Sequence, residues 1–199
     1  MKVETIVSGM LENNTYVLIE GNDAIIIDAA ASVDLIKKCL GKAKPKALIL
    51  THGHYDHITN LDNILLAFDI KCYLSEKALD KLRDVYLNQS AKFHLDIKSG
   101  LDRSHFSIIG EGDVLPFLKE NIFVMETPGH TDCCISLKIG SKLFTGDTLF
   151  QGTIGRTDLP TSSGVEMRQS LRKLFKIREN CTVYPGHGEI TTLDAERMG

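Results

Sequence analysis

Three imidazoles and one carboxylate fall within His52-Gly53-His54-Tyr55-Asp56-His57, directly behind the apolar run Ala47-Leu48-Ile49-Leu50. Such a run reads as a buried strand. Residues two apart in extended chain project to the same side, so His52 and His54 face one way where the strand ends. Neutral imidazole nitrogens are the commonest metal ligands, and two of them side by side make half a zinc site. Asp56 and His57 fall on the following turn, offset from the first pair, where they would serve a second ion.

At 199 residues the chain is long enough to bury one sizeable core, and residues 1–199 are expected to form a single domain. Hydrophobic residues at 43% against 25% charged are ordinary for a soluble globular protein, and no apolar window approaches membrane length. A net charge of -3 without a basic cluster argues against nucleic acid as a partner. The N-terminal Met1-Lys2-Val3-Glu4-Thr5-Ile6 carries an acid where a signal peptide would begin its apolar core. The five cysteines are odd in number and lack CxxC spacing, which suits reduced thiols. A cytoplasmic location is expected.

Periodicity predicts strands over 3–7, 15–19 and 24–27 as an antiparallel meander, its turns marked by Glu12-Asn13-Asn14 and Gly21-Asn22-Asp23. Asp28 closes the third strand and is read as capping the next turn in preference to orienting a ligand. Ser32 then caps a helix with Leu35, Ile36, Cys39 and Leu40 on one face, ending at Gly41. After Pro45 come the strand to Leu50, the histidine loop, and a helix with Leu61, Ile64, Leu65 and Phe68 at helical spacing. A strand over 70–74 leads to Ser75, read as the cap of a helix reaching toward Tyr86. Residues 87–102 have no clean period and are expected to form an irregular segment over the site. Further strands are predicted at 106–109, 122–125, 135–139, 142–145 and 182–184. A helix carrying Met167, Leu171, Leu174 and Phe175 opens on the capping-box spacing Ser163 to Glu166.

One rule recurs along the chain: a strand ends, and a histidine or aspartate appears in a glycine-containing loop. It happens at His52 to His57, at Thr127-Pro128-Gly129-His130, at Gly146-Asp147 and at Pro185-Gly186-His187. Strand ends gather at one edge of a layered sheet, so these loops can converge although they are far apart in sequence. Five of the seven histidines lie in them, while His94 and His105 sit in unpatterned segments and read as surface or supporting groups. Sorted by chemistry, His52, His54 and His130 give one ion three nitrogen ligands. Asp56, His57 and His187 serve another, with Asp147 bridging. Each ion keeps an open position and the set holds no thiolate, which is the pattern of a catalytic rather than a structural site. Two such ions imply hydrolysis by an activated water. The donors suit zinc, and iron or manganese would also be accepted. Cys133 and Cys134, close after His130, are read chiefly as small core residues.

His52-x-His54-x-Asp56-His57, His130, Asp147 and His187 together resemble the full ligand pattern of the metallo-β-lactamase superfamily, over about residues 1 to 190. The resemblance implies an α+β fold, a four-layer αββα sandwich with metals at one edge of the sheets; periodicity by itself indicates only mixed α and β. Gly146-Asp147-Thr148-Leu149-Phe150 followed by Gly155-Arg156-Thr157-Asp158 is similar to the glyoxalase II group, the hydroxyacylglutathione hydrolases. That likeness implies a dinuclear zinc thioesterase acting on a small-molecule thioester. A metal-bridging hydroxide would attack the carbonyl, and Asp56 would be both ligand and catalytic residue. Arg156 is read either as an ion-pair partner for nearby carboxylates or as a substrate clamp. Full-length members of that group carry a C-terminal helical domain that contacts glutathione, whereas this chain ends twelve residues after His187 (199 against 187). Where relatives read His-Thr-Pro-Gly-Ser, it has His130-Thr131-Asp132-Cys133-Cys134, which would line the site with thiols. Persulfide dioxygenases share the scaffold and a similar Gly-Arg-Thr-Asp segment, and would use one iron on His52, His130 and Asp147. A lactonase or other ester hydrolase is a further alternative. A β-lactamase is disfavoured because Asp147 stands where many of those enzymes place a cysteine.

Overall fold

The structure is a computed structural model and describes residues 1–198. Its first half runs β1 (Lys2–Ser8), β2 (Asn13–Glu20), β3 (Asp23–Ile27), α1 (Val33–Leu40), β4 (Lys44–Ile49), α2 (Tyr55–Ile58), α3 (Leu61–Phe68), β5 (Lys71–Leu74), α4 (Glu76–Lys81) and β6 (Phe106–Ile108). The second runs β7 (Val114–Leu115), β8 (Ile122–Glu126), β9 (Ile135–Ile139), β10 (Lys142–Gly146), β11 (Leu149–Phe150), β12 (Thr153–Ile154), α5 (Gly164–Phe175), β13 (Thr182–Pro185), β14 (Thr191–Thr192) and α6 (Leu193–Arg197). Each half supplies one six-stranded sheet, ordered β1-β2-β3-β4-β5-β6 and β14-β13-β10-β9-β8-β7. Among the described residues no helix is long and apolar enough to cross a membrane.

Alternation along the strands explains the layering. On β3 and β4, Ile25, Ile27, Ala47 and Ile49 point inward to meet Ile135, Leu137 and Phe144 of the other sheet. Their neighbours Ala24, Ile26 and Leu48 point outward, under Ile36 and Leu40 of α1 and Ile64 and Leu65 of α3. The second sheet does the same, with Leu143 and Val183 turned outward against Leu174 of α5 and Leu193 of α6. Strands covered on both faces read as unbroken apolar runs, because neither face meets water. The result is the αββα sandwich.

Strand direction places the functional loops. The β3–β4, β4–β5 and β10–β13 pairs are parallel, and β8 runs with β10 because each is antiparallel to β9. The carboxyl ends of β3, β4, β8, β10 and β13 therefore share one edge, where Asp28, His52, His130, Asp147 and His187 follow. The two halves are tied there by backbone bonds from Ile135 N–H to the Thr51 carbonyl (2.8 Å) and from Asn14 N–H to the Gly186 carbonyl (2.7 Å).

Several local expectations hold. Ser32 accepts from Leu35 N–H, and Ser163 accepts from Glu166 N–H at the start of α5. Others need correction. Ser75 makes no cap bond; its hydroxyl donates instead to the Cys133 carbonyl at 2.7 Å, and α4 stops at Lys81 rather than running toward Tyr86. β4 begins before Pro45, and the ladder accommodates the proline with a register shift between Ala24 and Ile25. The β11–β12 hairpin and the α6 helix had no sequence signal, since two-residue strands and a five-residue helix are too short to show a period.

An aromatic group fastens the sheets beneath the functional edge. Tyr16 meets Phe144 edge-on at 5.2 Å and Tyr184 at 5.5 Å, and its buried hydroxyl donates to the Pro185 carbonyl at 2.6 Å. Asn14 Nδ2 donates to the same carbonyl at 3.0 Å, so removing the hydroxyl leaves no orphaned acceptor. Tyr16→Phe is expected to cost about 1 kcal/mol of unfolding free energy, the typical net worth of one hydrogen bond, read as a drop in urea midpoint at unchanged slope.

Candidate metal centre

The seven residues singled out by pattern converge at this edge. The facing nitrogens of the first group are His52 Nε2 and His54 Nδ1, 3.2 Å apart, and His130 Nε2, 2.9 Å from His54 Nδ1. Tetrahedral ligands about 2.0–2.1 Å from one ion lie about 3.3 Å from each other, so these nitrogens are spaced to share a cation. In the second group His187 Nε2 lies 3.1 Å from Asp56 Oδ2, and His57 Nε2 lies 3.7 Å from that oxygen. Asp147 stands between the groups: Oδ2 is 3.4 Å from His130 Nε2 and 3.6 Å from His187 Nε2, and Oδ1 is 3.3 Å from His57 Nε2. The sets His52/His54/His130, His52/His57/Asp147 and Asp56/His57/His187 each gather three donor atoms within 4.8 Å.

Each imidazole but His54 is aimed by a bond on its far nitrogen. His57 Nδ1 donates to Asp28 Oδ2 at 2.8 Å, His130 Nδ1 to the Arg156 carbonyl at 3.0 Å, and His187 Nδ1 to the Leu11 carbonyl at 2.8 Å. His52 Nδ1 meets Thr51 Oγ1 at 3.2 Å, and that hydroxyl is itself committed as a donor to Asp28. A proton held on Nδ1 leaves the Nε2 lone pair free to bind a cation. Gly186 makes the approach possible, since a Cβ there would lie 2.2 Å from Asp147 Oδ1 and 2.8 Å from His57 Cε1.

The residues fit divalent ions by their own chemistry. His57 Nε2 and Asp147 Oδ1 are buried and have no hydrogen-bond partner, which in a protein interior calls for an explanation such as a cation. Burial, together with the neighbouring imidazoles, lowers His52 well below the usual range, and burial with His130 lowers His54 to about 3, so both are neutral donors at neutral pH. Burial also works against a charge on His57, but Asp28, Asp147 and Asp56 outweigh it and hold a proton there well above the ordinary imidazole range. Asp147 shows the converse: burial opposes its charge, yet the facing imidazoles, His57 foremost, hold it well below the carboxylate range. A field that retains protons against burial also favours a metal cation.

Asp28 is the main correction at this site. Expected to cap a turn, it instead accepts from Thr51 N–H and Oγ1–H and from His57, and it does so at a φ of +61°, unusual for a residue with a side chain. Cys133 and Cys134 do not line the site. Both thiols turn to Thr131 Oγ1 (3.0 and 3.1 Å) and lie buried on the far side of the His130 loop. His94 is exposed and His105 pairs with Asp102, away from the cluster.

A cleft of about 240 Å³ opens over the ligands, walled by Leu11, Tyr55, Phe93 and Leu159 with Lys92 and Arg156 among its lining residues. The irregular segment expected over the site supplies Gln89, Lys92 and Phe93, with Phe93 against Tyr55 at 5.1 Å. Arg156 forks onto Asp158, with Nε and Nη2 each 2.7 Å from a carboxylate oxygen. The carbonyls of Leu11 and Arg156 could not be found from sequence, because a backbone acceptor carries no residue-type signature.

The chain is similar to known proteins over nearly its whole length. The metallo-beta-lactamase superfamily model matches residues 9–187. A probable metallo-hydrolase from Streptococcus pyogenes is 36% identical over 99% of this chain and 88% of its own length. The hydroxyacylglutathione hydrolase GloC from Haemophilus influenzae is 30% identical, covering 99% of this chain and 95% of its own. The crystal structure of the BLEG-1 B3 metallo-β-lactamase superposes with a TM-score of 0.93 at 30% identity, covering 100% of this chain and 97% of its own.

Asp28→Asn tests the orienting role. A carboxamide has one accepting atom where Asp28 uses two, so either Thr51 N–H or His57 Nδ1–H must lose its partner. Metal affinity is expected to fall about 10- to 100-fold in competition with a chromogenic chelator. Wild-type affinity in the variant would show that Asp28 does not aim His57.

Proposed function

The chain belongs to the metallo-β-lactamase superfamily as a metallo-hydrolase, and from that premise we propose that it is a dinuclear thioester hydrolase, with zinc as its ion. The observation that carries this reading is the placement of Asp147 between two three-donor groups at the floor of a small open cleft. His52, His54 and His130 would hold one ion, and Asp56, His57 and His187 the other. When bound, the two ions supply Lewis-acid polarisation of a carbonyl and a water acidified to near neutral pH.

The remaining work falls to side chains of this protein. Burial opposes a charge on Asp56, but His57 and the bond from His187 hold its carboxyl below the usual range, so it is an anion at neutral pH. As an acceptor at the cleft floor it orients the attacking water toward the carbonyl carbon. The His187 and His130 rings keep their Nδ1 protons on backbone carbonyls, which fixes where their Nε2 atoms point throughout turnover. Attack opens the carbonyl; its re-closure expels the sulfur with the bonding pair. A thiolate is a weak enough base to leave without a dedicated acid.

Thioester chemistry is supported by the likeness to GloC over nearly the whole of both chains and by the segment Gly146 to Phe150. Cleft size bears on the substrate. The cleft of about 240 Å³ adjoins a second hollow of about 340 Å³ that shares Leu11, His130, Asp147, Arg156 and His187, which gives room for an acyl group over the ligands and a thiol portion reaching outward past Arg156. The similarity to BLEG-1 favours β-lactam hydrolysis as the second reading.

Metal content and activity are to be measured on one anaerobically purified sample. Two metals per chain with hydrolysis of S-lactoylglutathione are expected, and a β-lactam assayed in parallel tests the second reading. One iron per chain, no hydrolysis and oxygen uptake on glutathione persulfide would replace this proposal with persulfide oxidation. Asp56→Ala should lower thioester turnover by about 10²-fold or more with an unchanged circular dichroism spectrum; near-normal turnover would sink the assigned role of Asp56.

A further inference from the structure

Lys81, the last residue of α4, is almost fully buried, with its side chain only 3% exposed. Lysine is almost never so buried without a partner. Its Nζ is 2.6 Å from Asp132 Oδ1, on the loop that carries His130. The aliphatic stem lies flat against Gly53, between His52 and His54. A Cβ on that glycine would come within 2.7 Å of Lys81 Cβ and 3.3 Å of Lys81 Cδ, so the stem occupies the space a side chain would need. Its carbonyl accepts from Asn88 Nδ2 at 3.1 Å, and the Asn88 carbonyl in turn accepts from Tyr55 N–H at 2.9 Å. Head, stem and backbone of one residue thus reach Asp132, Gly53 and, through Asn88, Tyr55.

A buried ion pair is weak as a source of stability, because desolvation offsets most of the attraction. What this pair does accomplish is geometric. His52 and His54 belong to the first sheet's loop and His130 to the second's, and their three nitrogens must meet to within a few tenths of an ångström. Two further contacts tie the neighbouring segments, from Ser75 Oγ at the start of α4 to the Cys133 carbonyl (2.7 Å) and from Ile135 N–H to the Thr51 carbonyl (2.8 Å). Between the two histidines of the metal loop, the Lys81 stem covers Gly53, whose backbone N–H also reaches the Cys133 thiol.

We propose that Lys81 and Asp132 are positioning residues for the three-imidazole group, setting the distance of His130 from His52 and His54 and so the affinity of that group for its ion. The proposal rests on the reading of those three histidines as ligands of one ion. Neither residue lines the cleft, and neither is assigned a contact with substrate.

The test is zinc titration of the full chain against a chromogenic chelator. His54→Ala and His187→Ala mark the two equivalents, and Lys81→Met, Asp132→Asn and the double variant are compared with them. Methionine keeps the stem over Gly53 and removes the ammonium. The Lys81 and Asp132 variants are expected to weaken the equivalent that His54→Ala removes by about ten-fold or more while leaving the other near its wild-type affinity. The double variant should be no weaker than Lys81→Met, because the pair is already broken. Wild-type affinity at both equivalents, or an equal fall at both together with a lower melting temperature of the metal-free protein, would overturn the proposal in favour of a merely structural pair. Should Lys81→Met not fold, Asp132→Asn decides alone, since the Asp132 side chain is 29% exposed and can be changed at the surface. If His54→Ala leaves both equivalents intact, the ligand reading fails, and the positioning role falls with it for that separate reason.

Discussion

Three carboxylates and five imidazoles crowd one edge of the sandwich, and keeping that group unsolvated without collapse is the constraint on which the rest of this structure depends. Removing a carboxylate from water costs roughly several kcal/mol even after relaxation. Asp28, with its side chain 1% exposed, is tolerated because Thr51 and His57 saturate it with donors. Asp147 and Asp56 are tolerated only while positive charge faces them, from imidazolium or from metal. A field of this kind draws cations to the same donors, protons and metal ions alike.

The sandwich converts that local requirement into a global one. Every ligand follows the carboxyl end of a strand, and the strands belong to two sheets that touch only through apolar side chains and a few edge bonds. The Tyr16, Phe144 and Tyr184 cluster and the bonds from Asn14 and Tyr16 to Pro185 lock the sheets just below the site. Rigidity there matters because Asp147 and His187 come from one sheet while His52 to His57 come from the other. A sliding of the sheets by an ångström would spoil donor spacings of about 3 Å.

Much of the fold was legible because strands covered on both faces and helices covered on one leave clear apolar patterns. The Ser32 cap and the face of Leu61, Ile64 and Leu65 are local facts, and local pattern reports them. Ser75 shows where such reasoning stops. It has the residue type and spacing of a cap, but the Cys133 carbonyl, remote in sequence and near in space, competes for its hydroxyl and takes it. Cys133 and Cys134 are buried as small core residues, while the thiol-lined wall fails for a related reason, since proximity to His130 in sequence says nothing about which side of the loop a thiol occupies.

By itself the sequence determined which chemistry was available: imidazole and carboxylate donors, no thiolate among them, set behind apolar strands in loops where glycine allows close approach. Donor type is a property of the residue and survives any folding argument. Only the tertiary structure decided how those donors are grouped and aimed. Asp28 becomes the partner of His57, Asp147 comes to stand between two triads, and the carbonyls of Leu11 and Arg156 fix two rings. These are relations between strand ends brought together by sheet packing, and the backbone groups that make several of them are identical in every residue.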